Sequence, residues 1–415
     1  MRRREFLQLG AGTLLAGSTA RPADRPLGGQ VPSGPSQSGA GTKLKVDAYS
    51  RHLQWLRNAD EVADACTEMG FDGLNVTVRP YPGHVNPENV AQELPPFVNA
   101  IRRHGLLVRS ITANIADADS PNAERIIATA SSLGLTHYWW GTYRYELNTP
   151  VFEQLDALKP RVAKLAALSE KYKMTAMYHT YAGAGQVGSA VWDLLYVLKN
   201  FDPKFVGFHY DSGHQAHHTN GLWEMNLRAA GPYVVALAVK DYTPEQDLGL
   251  KGQGGPYTGP IGGLAGGRGD GPPPAGGGRS GAVPGAAGRG DAPPQQADGR
   301  GADAGRGRGG PGRGDAAGRG GRGQAAGGPG STFAAGNGWR SRQVPLGTGV
   351  VDLPSLAAVL KEIKFSGPIE IQAEYPNGGA ENAQDKITLP RIQVLGAMKR
   401  DLLTLRRGFA ASGLL

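Results

Sequence analysis

The chain has 415 residues, a formal net charge of +8 and a single cysteine. One cysteine excludes an internal disulfide. The positive charge is local: Arg2, Arg3 and Arg4 carry part of it, and residues 252–338 carry nine Arg against five Asp. The remainder is close to neutral, so the high pI gives no ground for specific nucleic-acid binding by a folded domain.

Residues 1–20 read as an export signal. Arg2-Arg3-Arg4-Glu5-Phe6-Leu7 precedes an apolar run from Leu7 to Ala16, and Gly17-Ser18-Thr19-Ala20 follows. A charged start, a short apolar core and small residues before a cut site make a secretory leader. The Arg3-Arg4-x-Phe6-Leu7 core resembles the twin-arginine signal, which implies the twin-arginine export machinery as a partner and the periplasm or the exterior as the destination. The apolar run is too short for a mature membrane span, and no Cys follows it, so no membrane anchor is expected in the mature form. Residues 21–43, rich in Pro, Gly and Ser, read as a flexible linker.

From Leu44 onward short apolar runs alternate with stretches of helical periodicity, eight times. The runs near 44–49, 72–78, 106–113, 136–140, 174–179, 205–211, 234–240 and 368–374 predict strands. The stretches near 51–69, 88–104, 121–133, 151–172, 187–200, 221–230, 354–363 and 385–408 predict helices. Gly70, Gly105 and Gly134 stand where helices should stop. Cys66 shares a helical face with Val62 and Met69 and reads as a small buried hydrophobe. Eight βα units in one domain predict an α/β fold, a single (β/α)8 TIM barrel made of 44–251 and 339–415. An open doubly wound sheet is the alternative, but no Gly-x-Gly-x-x-Gly follows the first strand.

Residues 252–338 interrupt the barrel between strand seven and helix seven. They hold 34 of the chain's 64 glycines and almost nothing large to bury. Such a segment cannot offset its conformational entropy, which predicts a long disordered insertion. Its three Arg-Gly-Asp triplets, ending at Asp270, Asp291 and Asp315, are what this composition produces by chance, so an inert solvated linker is the plain reading. A loop after a barrel strand emerges on the catalytic face.

Polar residues collect at the strand ends on that face. Strand two ends near Arg79, with His84 close behind. Strand five ends at His179, strand six at His209-Tyr210-Asp211 followed by His214, strand seven at Lys240, and strand eight carries Gln372 and Glu374. Trp139 and Trp140 follow strand four; one could stack on a sugar ring, with Trp140 the candidate, and core filling is the equal alternative.

The Asp211-x-x-His214 step, Val239-Lys240-Asp241, Leu346-Gly347-x-Gly349-x-Val351-Asp352 and Gly367-Pro368-Ile369-Glu370 resemble the sugar isomerase/epimerase barrels of the xylose-isomerase-like kind. That wider family includes ketose 3-epimerases, inosose dehydratases and the endonuclease IV type of repair enzyme. The resemblance implies a divalent metal held by a Glu after strand five, an Asp after strand six, a His after strand seven and a Glu after strand eight. Here Asp211 matches the Asp, His179 stands for the first Glu, Ala238 for the His, and Gln372 or Glu374 for the last Glu. The implied metal set is His179, Asp211 and Glu374, binding Mn, Zn, Co or Mg, with a gap at Ala238 that His209 or water could fill. His179 and Glu374 would share acid and base duties. Arg79, His84, His209, His214, Lys240, Trp140 and Gln372 are the substrate-binding candidates.

The implied activity is metal-assisted proton transfer next to a carbonyl of an unphosphorylated sugar, keto-sugar or cyclitol, giving epimerisation, isomerisation or dehydration. A non-catalytic exported carbohydrate-binding barrel with a degenerate metal site is the second reading. A repair nuclease is the third; export and the absence of many extra His and Asp ligands oppose it.

Overall fold

A computed structural model describes residues 43–146, 148–183, 185–219, 221–246, 333–335 and 339–415. The expected signal, nearly all of the linker and all of the expected insertion except 333–335 lie outside the described residues.

Eight parallel strands close into a barrel. They are β1 (Val46–Tyr49), β2 (Gly73–Val78), β3 (Leu107–Ile115), β4 (His137–Trp140), β5 (Thr175–His179), β6 (Val206–Asp211), β7 (Val234–Val239) and, last in sequence, β11 (Ile369–Ile371). The order round the barrel is β1-β11-β7-β6-β5-β4-β3-β2. Each strand is short and buried on both faces, as parallel strands wrapped by helices must be, which is why the sequence shows apolar runs rather than clean alternation. In β2 all six residues are buried, including Asn75 and Thr77, which face the barrel interior and are hydrogen-bonded there.

Helices α1 (Ala59–Met69), α2 (Val90–Arg103), α3 (Ala123–Ser132), α4 (Val151–Lys171), α5 (Trp192–Leu198), α6 (Ser212–His218), α7 (Trp223–Ala230), α8 (Leu353–Glu362) and α9 (Arg391–Phe409) connect the strands. In α1 the side chain of Asn58 caps the start by accepting from the Asp60 N–H, and Gly70 closes the end at φ +88°, a left-handed position that favours glycine. Val62, Ala63, Cys66 and Met69 form its buried stripe. The helix expected over 51–69 therefore begins later. Ser50–Leu53 forms a separate 3-10 turn, and the Asn58 cap resets the chain.

One helix and one sheet were absent from the sequence reading. Helix α6 starts on Asp211 itself, whose carboxylate accepts from the His214 N–H at 2.8 Å. A second sheet also stands beside the barrel. One residue after β7, β8 (Asp241–Gln246) pairs antiparallel with β10 (Trp339–Val344), from Asp241↔Val344 to Gln246↔Trp339, and β9 (Phe333–Ala335) pairs with β10 in turn. The expected disordered span thus gives up residues 333–335 to a strand, because β10 offers them a free edge. Residues on either side of the long excursion after 246 are held level by the β8–β10 ladder.

The base of that hairpin is fixed by one carboxylate. Asp241 Oδ2 accepts from Gly347 N and Gly349 N, both at 2.9 Å, and Oδ1 from Val351 N at 3.0 Å and Tyr242 N at 2.9 Å. A Cβ on Gly349 would come within 2.3 Å of Asp241 Oδ1 and 2.1 Å of the Tyr242 carbonyl. The Gly347-x-Gly349-x-Val351 pattern is accordingly a clamp that returns the chain to the barrel; its backbone N–H groups are spent on Asp241.

Candidate functional site at the barrel mouth

Strand register sets the site. His179 on β5 is level with His209 on β6, Asp211 on β6 with Ala238 on β7, and Ala238 with Glu370 on β11. Side chains of like parity on these strands point inward and meet. Inside the barrel Tyr49, Trp139, Met177 and Ala236 pack as one apolar layer, with Tyr181 against it.

Asp211 is the hub. It is fully buried, and its Oδ1 is used as the cap of α6. Its Oδ2 lies 3.2 Å from His179 Nε2, 3.8 Å from His214 Nε2 and 2.9 Å from Lys240 Nζ, and among the described residues none of these meets full hydrogen-bond geometry at it. Burial opposes the charged form, but His214, Lys240 and His179 outweigh it and hold the Asp211 carboxyl well below the usual carboxylate range. Burial pushes His179, His209 and His214 down, so their rings are neutral near pH 7. For Lys240 burial works against the charge, but Asp211 and Glu374 prevail and hold its ammonium protonated well beyond the ordinary range.

His179, Asp211 and His214 each offer one ligand atom, and these atoms lie within 4.8 Å of one another. Atoms that share one ion at about 2.0–2.3 Å sit about 3–4 Å apart, which the His179 and His214 distances to Asp211 satisfy. Two neutral imidazoles and a carboxylate oxygen without a well-formed hydrogen bond are a suitable donor set. This buried group could hold a metal.

Glu374, expected as the third ligand, stands on the other side of Lys240. Its Oε2 takes Lys240 Nζ at 3.0 Å and Gln343 Nε2 at 2.8 Å. Lys240 also donates to Gln372 Oε1 at 3.1 Å. The ammonium thus bridges Asp211 and Glu374, while Ala238, level with Asp211, has nothing to offer an ion. The group within ligand distance contains His214 in place of Glu374, because Asp211 and His214 are tied by the α6 cap.

Of the expected substrate-binding residues, His209, His214, Lys240 and Gln372 gather here. His209 Nδ1 is 3.4 Å from His179 Nδ1, and its Nε2 is 3.6 Å from Glu370 Oε1. Arg79 lies over the Trp139 ring at 4.9 Å, and Trp139 lies 4.8 Å from the His179 ring. The remaining two are engaged elsewhere. His84 is held between Thr77 Oγ1 and the carbonyls of Leu53 and Leu56, and burial pulls it down to about 4. Trp140 is fully buried against Tyr143 and Tyr178, with its N–H on the Ala116 carbonyl. Strand parity turns Trp139 inward and Trp140 outward to the helices.

The sequence reading passed over Glu370. It accepts from Gln372 Nε2 at 2.7 Å and from Asn75 Nδ2, and burial pushes it up to about 7. It shares parity with Gln372 and Glu374 two and four residues on, a signal present in the sequence. Gln343 was also missed, because the polar β10 strand that delivers it has no apolar pattern.

One family model and one solved structure share this architecture. A family model described as the xylose isomerase-like TIM barrel matches residues 63–265. No curated protein matches the chain. Among solved structures, the IolI protein with a bound zinc atom is similar at 12% identity and a TM-score of 0.52, over 88% of this chain and 100% of the other. A D-psicose 3-epimerase from Clostridium cellulolyticum H10, solved with D-tagatose, aligns at 10% identity and a TM-score of 0.49, over 88% and 99%. A 3-keto-D-glucoside 4-epimerase of E. coli aligns at 12% and 0.47, over 88% and 100%. By its chain path this is a (β/α)8 TIM barrel, and its residues 63–265 are similar to the xylose isomerase-like family.

Proposed function

We propose that the protein is an exported sugar isomerase or epimerase that moves a proton next to a carbonyl of an unphosphorylated sugar, keto-sugar or cyclitol. The observation that carries this reading is the buried His179–Asp211–His214 group, with Lys240 and Glu374 alongside it, at the mouth of the barrel. A divalent ion held by His179, Asp211 and His214 would supply positive charge to stabilise the oxyanion formed when that proton leaves. Lys240 keeps Asp211 ionised and presents a second positive charge to a substrate oxygen. Glu374, which is not one of the three ligands, would take and return the proton, while His179 would serve the ion. The apolar layer of Tyr49, Trp139 and Met177 forms a dry floor under a sugar ring. Zn, Mn, Co and Mg are the ions to test. Export rests on Arg3-Arg4-x-Phe6-Leu7 and stands apart from the site.

The experiment is incubation in D2O with a panel of ketoses, keto-glycosides and inososes, with and without each ion, read by NMR. Deuterium at the carbon beside the carbonyl, with formation of the epimer, isomer or dehydrated product, is the expected result. The second reading, a carbohydrate-binding barrel without turnover, is favoured by the Lys240 ammonium on Asp211, which competes with a metal for that oxygen. Binding without deuterium incorporation by any ion-loaded form would establish it.

A further inference from the structure

The mouth holds a cation that the site described above does not use. Arg79 leaves β2 with the inward parity of Asn75 and Thr77, and its guanidinium lies over the Trp139 ring at 4.9 Å. Among the described residues it has no acidic partner, and its buried Nε has no hydrogen bond. Stacking on an indole occupies the face of a guanidinium and leaves its N–H edges free, the arrangement that receives a planar anion. Beside it stands Tyr49, 1% exposed, 6.2 Å from the same indole, whose hydroxyl also has no hydrogen-bond partner. Arg79 is the foremost charge acting on that hydroxyl. Two donors without a hydrogen bond among the described residues, one of them fully buried, thus flank Trp139. Buried donors without acceptors cost free energy unless a ligand completes them. Trp139 in turn touches His179, so this corner adjoins the reacting centre at His179.

We infer that Arg79 and Tyr49 form a carboxylate subsite, and that the substrate is a sugar acid, a keto-uronate or a related carboxylated polyol, rather than a neutral sugar. The inference rests on the proposed function for the role of the His179 side of the mouth. A carboxylate accepts two N–H bonds from one guanidinium edge and a third from the tyrosine hydroxyl, and its chain carries the carbonyl toward His179 and Asp211. A site completed by such an anion discriminates strongly against the neutral analogue, because the neutral one leaves both donors unpaired.

The test compares matched pairs by isothermal titration on the full-length mature protein: D-fructuronate against D-fructose, and D-tagaturonate against D-tagatose, with fructose 6-phosphate and inorganic phosphate as further arms. The acid of each pair should bind at least tenfold more tightly. Arg79→Gln should lower acid affinity at least tenfold more than it lowers neutral-sugar affinity, and Tyr49→Phe should reduce the preference without changing the fold by circular dichroism. Equal affinity for acid and neutral sugar, or an equal loss for both in Arg79→Gln, overturns the subsite. Tighter binding of phosphate than of either uronate overturns the carboxylate assignment. Binding of neither acid nor neutral sugar by the parent overturns the sugar reading and this inference with it. Deuterium exchange on a neutral ketose without acid preference would leave the proposed function standing and refute only the subsite.

Discussion

Replacing Asp241 by Asn isolates what the Gly347-x-Gly349 clamp does. The carboxylate, 1% exposed, accepts four backbone N–H groups, two on each oxygen. Asn keeps one accepting oxygen and turns its NH2 on the other two donors. Each hydrogen bond to a charged group contributes about 1.5–3 kcal/mol, and an orphaned buried N–H costs about 1–3 kcal/mol. Against this, burial pushes Asp241 up in spite of its four donors, so the neutral amide recovers part of the loss. The net expectation is a destabilisation of about 3 kcal/mol, or about 6–12 °C in Tm for a domain of this size. Urea denaturation at pH 7 followed by intrinsic fluorescence measures it. Gly349→Ala, whose Cβ would collide with Asp241 Oδ1, should cost a similar amount, and the double variant less than the sum, since both break one unit. A change under about 0.5 kcal/mol in Asp241→Asn, or lost sugar binding at unchanged stability, would show that this carboxylate serves a ligand rather than the chain.

Lys240→Met strands Asp211 and Glu374 without their shared cation and should destabilise the fold by about 3–5 kcal/mol. Added Zn or Mn should recover more thermal stability in this variant than in the parent, which differential scanning fluorimetry would read. His84 has a folded pKa of about 4, below its unfolded value, so the unfolded chain binds the extra proton between about pH 6.5 and 4. The stability His84 permits is present above about pH 6.5 and is lost as pH falls toward 4; the parent should lose about 3 kcal/mol more than His84→Gln across that window in parallel urea titrations. Lys at both Arg3 and Arg4 should hold the protein in the cytoplasm, and unchanged delivery in fractionation would refute the twin-arginine reading.

The barrel was legible because doubly buried parallel strands must be apolar runs and because Gly70, Gly105 and Gly134 mark helix ends by their own chemistry. The β8–β10 sheet was not. Asp241–Gln246 contains Pro244 and exposed polar residues, a pattern that reads as loop, and its pairing partner lies beyond a long composition-biased stretch. At the site, strand ends pointed to His179, Asp211, His214 and Glu374, but the expected metal set took Glu374 where the structure groups His214. That depends on the cap that folds His214 back over Asp211 and on the Lys240 side chain reaching past Ala238, both three-dimensional facts. Trp139 and Trp140 illustrate the limit: adjacent residues take opposite faces, and only the register of β4 on β5 decides which one sees the mouth.

The central claim is that Asp211 organises a centre for proton transfer beside a carbonyl. Solvent deuterium incorporation into a bound keto-sugar, measured by NMR for the parent and for Asp211→Ala at equal ligand saturation and with the activating ion supplied, tests it most directly. The account predicts incorporation at the carbon adjoining the carbonyl by the parent and its loss by at least a hundredfold in Asp211→Ala with the circular dichroism spectrum retained. Equal incorporation by the two proteins, or none by the parent with any ion and any sugar or sugar acid it binds, would contradict it.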